Sequence, residues 1–124
     1  MQPGKKILIV EDEPDFRVAL RLRLEANGYD IVEAGDGIEG LDAVRHQDPD
    51  LVILDVMMPK MDGFKVARLL KYSAKYKHVP VMMLTVMSQA NDRQKGQAIG
   101  VDAYLTKPYQ PQKLLDTISS LISR

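Results

Sequence analysis

Five short apolar runs alternate with longer stretches of helical periodicity, and this alternation constrains the fold more than any other feature. Three of the runs, residues 7–10, 51–54 and 81–84, are apolar throughout, which is typical of strands buried on both faces of a parallel sheet. The other two cover residues 29–32 and 104–105. The pattern predicts one α/β domain with three layers, a (βα)5 unit in which helices cover both faces of a central five-stranded parallel sheet.

Turn and capping residues agree with this division of the chain. Gly and Asn are favoured where helices end, and Asp is favoured just before they begin. The sequence therefore predicts that Asn27-Gly28 ends the first helix, that Asp36-Gly37 and Asp62-Gly63 precede the second and third, and that Gly100 ends the fourth.

The chain of 124 residues has the length of one domain, which we expect to span residues 1–124 and to bury a core without disulfides. The absence of cysteine excludes a disulfide scaffold, a thiolate zinc site and a cysteine nucleophile, and it fits a reducing, cytoplasmic location. The 17 basic residues balance 17 acidic ones, so we expect no direct nucleic-acid binding. The apolar run at residues 7–10 is too short for a signal peptide or membrane span.

Chemically useful residues follow four of the five predicted strands. Ligands of parallel α/β sheets bind outside the carboxyl ends of the strands, so residues at those ends are the candidates for a site. They are Glu11 and Asp12 after the first strand, Asp55 after the third, Thr85 after the fourth, and Thr106, Lys107 and Pro108 after the fifth. We expect the carboxylates, a hydroxyl and an ammonium to meet at one edge of the sheet.

Three converging carboxylates repel one another unless a cation lies among them. Mg²⁺ prefers carboxylate, carbonyl and water oxygens and leaves positions for phosphate oxygens. A carboxylate beside Mg²⁺ and a lysine can accept a phosphoryl group, because the cations neutralise charge on the group in transfer. The residues thus favour magnesium-dependent phosphoryl transfer.

The same motifs resemble those of the receiver domain of two-component response regulators. They are Ile9-Val10-Glu11-Asp12, Leu54-Asp55-Val56-Met57-Met58-Pro59 with Asp62-Gly63, Leu84-Thr85, and Tyr104-Leu105-Thr106-Lys107-Pro108. The resemblance covers nearly the whole chain in order. It implies a flavodoxin-like, CheY-like fold with the strand order 2-1-3-4-5.

The resemblance also implies a role for each site residue. Asp55 is the phosphoacceptor, and Glu11 and Asp12 hold Mg²⁺ together with Asp55 and the backbone carbonyl of Met57. Lys107 pairs with the phosphoryl group, and the Lys107–Pro108 peptide bond is cis. Thr85 supplies the switch hydroxyl, and Tyr104 is the aromatic side chain that changes rotamer on phosphorylation.

The implied function is a phosphorylation-activated signalling switch rather than an enzyme, since such a domain catalyses only its own phosphorylation and dephosphorylation. The donor is a sensor histidine kinase or a histidine phosphotransfer protein. The output is a downstream protein or a fused domain, read through the face of the fourth helix, fifth strand and fifth helix. A phosphorylation-dependent dimer is a further expectation, although Ala103 disfavours the dimer typical of winged-helix regulators. The chain ends after its last helix, as a stand-alone receiver or as a fragment.

Three residues depart from the family pattern in ways that bear on the rate of phosphorylation and the lifetime of the phosphoaspartate. Val86 follows Thr85 where relatives usually have Ala or Gly, and we expect it to narrow the access of phosphodonors and water to Asp55. Met57 and Met87 are apolar at positions that influence phosphoryl lifetime in some relatives, so we expect a comparatively long-lived phosphoaspartate. Residues 88–97 contain a single apolar residue, Ala90, so we expect the fourth helix to be the least firmly held.

Other interpretations of these residues stay open. Glu11 and Asp12 are also suited to capping the first helix. A degenerate receiver would keep the fold as a phosphate-independent binding module. A magnesium-dependent aspartyl phosphatase of the haloacid dehalogenase type would need an acidic residue two positions after Asp55, where this chain has Met57. A flavin module would need a phosphate site after the first strand, which Glu11-Asp12-Glu13 disfavours.

Overall fold

The structure, a computed structural model, describes residues 4–123, so the two ends of the expected domain, residues 1–3 and residue 124, lie outside the described residues. Strands and helices alternate along the whole described chain. They are β1 (Lys6–Val10), α1 (Pro14–Glu25), β2 (Asp30–Ala34), α2 (Gly37–Gln47), β3 (Leu51–Leu54), α3 (Gly63–Lys71), β4 (Val81–Thr85), α4 (Ala90–Ile99), β5 (Ala103–Thr106) and α5 (Pro111–Ile122).

The five strands form one parallel sheet in the order β2-β1-β3-β4-β5. Alternate side chains of each strand enter two separate cores, as the two-residue period of a strand requires. Leu8 and Val10 of β1 pack on the side of α2, α3 and α4, whereas Ile7 and Ile9 pack on the side of α1 and α5. The three-layer α/β fold predicted from the sequence is confirmed.

The second strand differs from its predicted position at residues 29–32. Tyr29 is buried in the core on the α1 side before the strand begins, and the strand continues through Glu33 to Ala34. The extension was missed because β2 is an edge strand that carries a charged residue. Arg17 and Arg21 pair with the carboxylate of Glu33, so a charged side chain covers the sheet edge here.

The helix boundaries follow the capping residues. Asp36 Oδ1 accepts a hydrogen bond from Glu39 N at 2.9 Å, and Asp62 Oδ1 accepts one from Lys65 N at 3.0 Å. Gly100 ends α4 with a φ of 100°, a left-handed conformation that glycine adopts without strain. α1 ends at Glu25, just before Asn27-Gly28. The N-cap of α1 is Glu13, so the alternative in which Glu11 or Asp12 caps this helix does not apply.

Of the ten residues of α4, only Gly96 and Ile99 are buried. This helix therefore has little apolar surface in the core, as the sequence predicts. Within residues 4–123, no helix is long and apolar enough to cross a membrane.

Candidate functional site

Neighbouring strands bring the candidate residues to one edge of the sheet. Val10 and Leu54 are register partners at the ends of β1 and β3, and Asp55 N donates to Val10 O at 3.1 Å. Glu11 and Asp55, the next residues in each strand direction, therefore lie side by side at the carboxyl edge of the sheet. Thr85 ends β4, next to β3, and pairs in register with Thr106 of β5.

Three carboxylates converge at this edge. Glu11, Asp12 and Asp55 each offer an oxygen, and these oxygens lie within 4.8 Å of one another. Glu11 and Asp55 are buried, whereas Asp12 is exposed. Burial raises the pKa of Glu11, and hydrogen bonds from the Lys107 ammonium and from Glu13 N oppose that rise in part. Burial thus disfavours the charged form of Glu11, whereas the Lys107 ammonium favours it.

Lys107 reaches into this cluster from the loop after β5, where the Lys107–Pro108 bond is cis. Its ammonium donates to Glu11 Oε1 and lies 3.5 Å from Asp55 Oδ2. One ammonium against three carboxylates leaves two negative charges in excess. An all-oxygen donor set with this charge fits a small divalent cation such as Mg²⁺.

Backbone hydrogen bonds in the loop after β3 help to position Asp55. Met57 N donates to Asp55 Oδ1 at 3.4 Å, and Gly63 N donates to Val56 O at 2.8 Å. Met57 is 57% exposed and lines the same surface cavity as Asp12, so it lies outside the core.

Thr85 and Tyr104 are joined through the loop after β4. Thr85 is fully buried, and its hydroxyl oxygen accepts a hydrogen bond from Met87 N at 3.4 Å. The Tyr104 hydroxyl donates to Met87 O at 2.7 Å. Burial raises the pKa of Tyr104, and the nearby carboxylate of Asp92 raises it further. A shift of this loop would therefore affect both side chains.

Two residues of α1 also belong to the site, and the sequence analysis did not assign them to it. Phe16 lies under the Lys107 ammonium, which is 4.0 Å from the centroid of the ring. Arg17 Nη1 donates to Glu11 O at 2.7 Å, while Arg17 Nε donates to Glu33. Their position in the first turns of α1 could have indicated this. Helical side chains point back towards the N-terminal end of their helix, and that end of α1 faces the end of β1.

A comparison with protein families identifies the chain. The model of the response regulator receiver domain matches residues 7–119. The chain belongs to this family. Membership assigns it to two-component signalling as a receiver-type switch.

Curated relatives agree with this assignment. The DNA-binding dual master transcriptional regulator RpaA of Synechocystis sp. is 39% identical over 119 residues, which are 96% of this chain and 49% of that protein. The chain spans about half the length of the curated relatives it matches. The names of RpaA and of two other relatives, a ycf27 protein of Porphyridium aerugineum and PhoP of Bacillus subtilis, describe transcriptional regulators.

Solved structures share the fold. The chemotaxis protein CheY4 of Vibrio cholerae is 33% identical with a TM-score of 0.88, over 95% of this chain and 98% of that chain. The receiver domain of a sensor histidine kinase from Pseudomonas aeruginosa is 27% identical with a TM-score of 0.89, over 98% of this chain and 99% of that chain. That receiver domain was solved with a magnesium ion coordinated in its active-site cleft.

Proposed function

We propose that this receiver takes a phosphoryl group from a phosphohistidine onto Asp55 and thereby changes the surface that a partner recognises. The observation that carries the proposal is the convergence of Glu11, Asp12 and Asp55 within 4.8 Å, with the Lys107 ammonium in contact with two of them.

Each residue has a role that follows from its chemistry. A carboxylate oxygen of Asp55 forms the new bond to phosphorus while the bond from phosphorus to the donor's imidazole nitrogen breaks. Lys107 pairs with the transferring oxygens, which carry the charge in such reactions. The burial of Asp55 keeps bulk water away from the carboxylate until the donor is seated.

Glu11, Asp12, Asp55 and the backbone carbonyl of Met57 would hold Mg²⁺. When bound, Mg²⁺ supplies positive charge that offsets the negative charge of the phosphoryl oxygens. The excess negative charge of the cluster supports this assignment, as does the magnesium ion in the cleft of the Pseudomonas aeruginosa receiver.

Phosphorylation reaches the partner surface through the loop after β4. We infer that the Thr85 hydroxyl turns to bind a phosphoryl oxygen and gives up the hydrogen bond from Met87 N. Tyr104 is bonded to the carbonyl of the same Met87, so its rotamer changes with the loop. The face formed by α4, β5 and α5 is then rearranged, a local charge event that biases a two-state surface.

The partners follow from this role. The donor is a sensor histidine kinase or a histidine phosphotransfer protein in the cytoplasm. The relatives named as transcriptional regulators are about twice as long as this chain, which supports a downstream protein or a fused output domain as the reader of the switch. Nucleic acid is not bound by the receiver itself, and a phosphorylated dimer is one form in which the signal is passed on.

The test is the intact mass of the protein after incubation with a small acyl phosphate, with and without Mg²⁺. We expect a gain of one phosphoryl group that requires Mg²⁺ and is lost in Asp55→Asn. The matched control is Asp48→Asn, which changes an exposed carboxylate at the left-handed C-cap of α2, a conformation that asparagine tolerates. This control should gain the group as the unchanged protein does.

No mass gain in the folded protein, with either the acyl phosphate or a phosphohistidine donor, would reject the proposal in favour of a phosphate-independent binding module. If a phosphoryl group is gained, its lifetime tests the expectation from Met57 and Met87. Neither thioether can orient an attacking water by a strong hydrogen bond, so we expect slow hydrolysis of the phosphoaspartate, followed as loss of the added mass.

A further inference from the structure

The Lys107 ammonium has a third neighbour besides Glu11 and Asp55. It lies 4.0 Å from the centroid of the Phe16 ring, well within the range at which a cation is attracted to the face of an aromatic ring. The Lys107 side chain is only 14% exposed. The attraction is stronger for a cation that has lost most of its water, so this contact is energetically relevant.

Phe16 is itself held in place from the side. The ring of Tyr109 is perpendicular to it at a centroid distance of 6.1 Å, a favoured arrangement of two aromatic rings. Arg23 Nε donates to the Tyr109 hydroxyl at 3.2 Å. The ring under Lys107 is thus fixed between α1 and the loop after β5.

We propose that Phe16 is a positioning residue that holds the Lys107 ammonium at Glu11 and Asp55, in readiness for the transferring phosphoryl group. Lysine has a long flexible stem and a point charge without directional preference, so two carboxylate oxygens alone leave the ammonium free to swing out into water. The ring gives the ammonium a third, attractive neighbour. This inference rests on the proposed function of the site.

The decisive test replaces Phe16 by phenylalanines with one, two and three ring fluorines. Fluorine keeps the shape of the ring and weakens the negative potential of its face. We expect the rate of phosphorylation by a small acyl phosphate to fall stepwise with each fluorine. Phe16→Leu, which has no ring, should be slower by roughly tenfold, and Phe16→Tyr should restore most of the rate.

The chain offers a matched control, since it contains just one other phenylalanine, Phe64. The ring of Phe64 lies under Lys95, not under Lys107. The same fluorinated series at Phe64 should leave the phosphorylation rate unchanged. A rate that does not follow fluorination at Phe16, or that falls equally at both positions, would overturn the positioning role.

A second measurement needs no phosphorylation. In the unphosphorylated protein, the ε-methylene protons of Lys107 should have an NMR shift upfield of the usual lysine position, because they lie over the ring. Phe16→Leu should abolish that shift in a protein that urea unfolding shows to be folded. If the unchanged protein takes no phosphoryl group, the proposed function fails, and the Lys107 shift still decides whether Phe16 holds the ammonium.

Discussion

Gly63 has no functional group, yet its lack of a side chain fixes the loop that carries Asp55. A Cβ at this position would lie 2.0 Å from the carbonyl oxygen of Asp55 and 2.8 Å from the Cα of Val56. Both are backbone atoms, so no side-chain rotation can relieve the clash. The close approach lets the first residue of α3 pack directly on the backbone of Asp55 and Val56 at the end of β3.

Gly63→Ala is therefore expected to lower the free energy of unfolding by about 2 kcal/mol, as an added methyl group does in a space without room for it. Urea unfolding measures the change. Gly35→Ala is the matched control, because its Cβ would meet no atom closer than 3.6 Å, and it should stay within about 0.5 kcal/mol. Equal midpoints for the two variants would contradict the close approach.

Asp36 gives a residue-scale prediction with a pH dependence. The hydrogen bond from Glu39 N and the nearby Lys60 ammonium hold the pKa of Asp36 below its ordinary value of 3.8. A carboxylate with a lowered pKa stabilises the folded state above its unfolded pKa and loses that contribution as the pH falls through the folded value.

The difference in unfolding free energy between the unchanged protein and Asp36→Ala should thus be greatest at neutral pH. It should begin to shrink near pH 3.8 and reach its minimum below the lowered pKa. Denaturant unfolding over this pH range measures it. A difference that stays constant throughout would mean that the charge of Asp36 contributes nothing.

At the scale of elements, α4 is held differently from its neighbours. α3 buries five of its residues, whereas α4 buries two. Gly96 lies against Tyr104, since a Cβ there would come within 3.1 Å of that ring. The helix that contacts Tyr104 thus buries fewer residues than α3, and movable elements are drawn from such weakly held parts of a fold.

Hydrogen exchange tests this difference directly. Amides of α4 should exchange faster than those of β1, β3 and β4, because α4 can open locally without exposing the core. Mass spectrometry of peptides covering residues 90–100 measures the rate. Exchange as slow as in the central strands would argue against α4 as the mobile part of the switch.

At the scale of the whole molecule, the functional residues and a structural ion pair lie at opposite edges of the sheet. Lys71 at the end of α3 contacts Asp102 at 2.7 Å, and both side chains are mostly buried. Asp102 also accepts from Val81 N at the start of β4, and the Lys71 ammonium donates to Val79 O. The pair ties α3 to β4 and to the start of β5, at the sheet edge opposite Glu11 and Asp55.

Lys71→Ala removes an ammonium that contacts the mostly buried Asp102 carboxylate and the Val79 carbonyl, and breaking a buried ion pair is costly. We expect Lys71→Ala to lower the free energy of unfolding by about 3 kcal/mol. Lys65→Ala removes an exposed lysine of the same helix and should change it by less than about 0.5 kcal/mol. Similar urea midpoints for both variants would show that the pair adds no stability.

The sequence by itself determined the kind and order of the elements and the edge at which the chemistry lies. Apolar runs and capping residues act through local backbone preferences, and the carboxyl ends of parallel strands share one edge in any such sheet. Glu11, Asp55, Thr85 and Lys107 could therefore be assigned to a common edge from their positions after the strands. The receiver-domain family was recognisable from these same motifs.

The tertiary structure decided which side chains touch. Lys107 and Glu11 are 96 positions apart, and the place of Phe16 beneath that ammonium depends on how α1 packs against the loop after β5. The burial of Lys71 with Asp102 and the extension of β2 to Ala34 were likewise decided by the tertiary structure. Such contacts depend on helix packing and rotamer choice across the finished sheet, and no local pattern in the sequence specifies them.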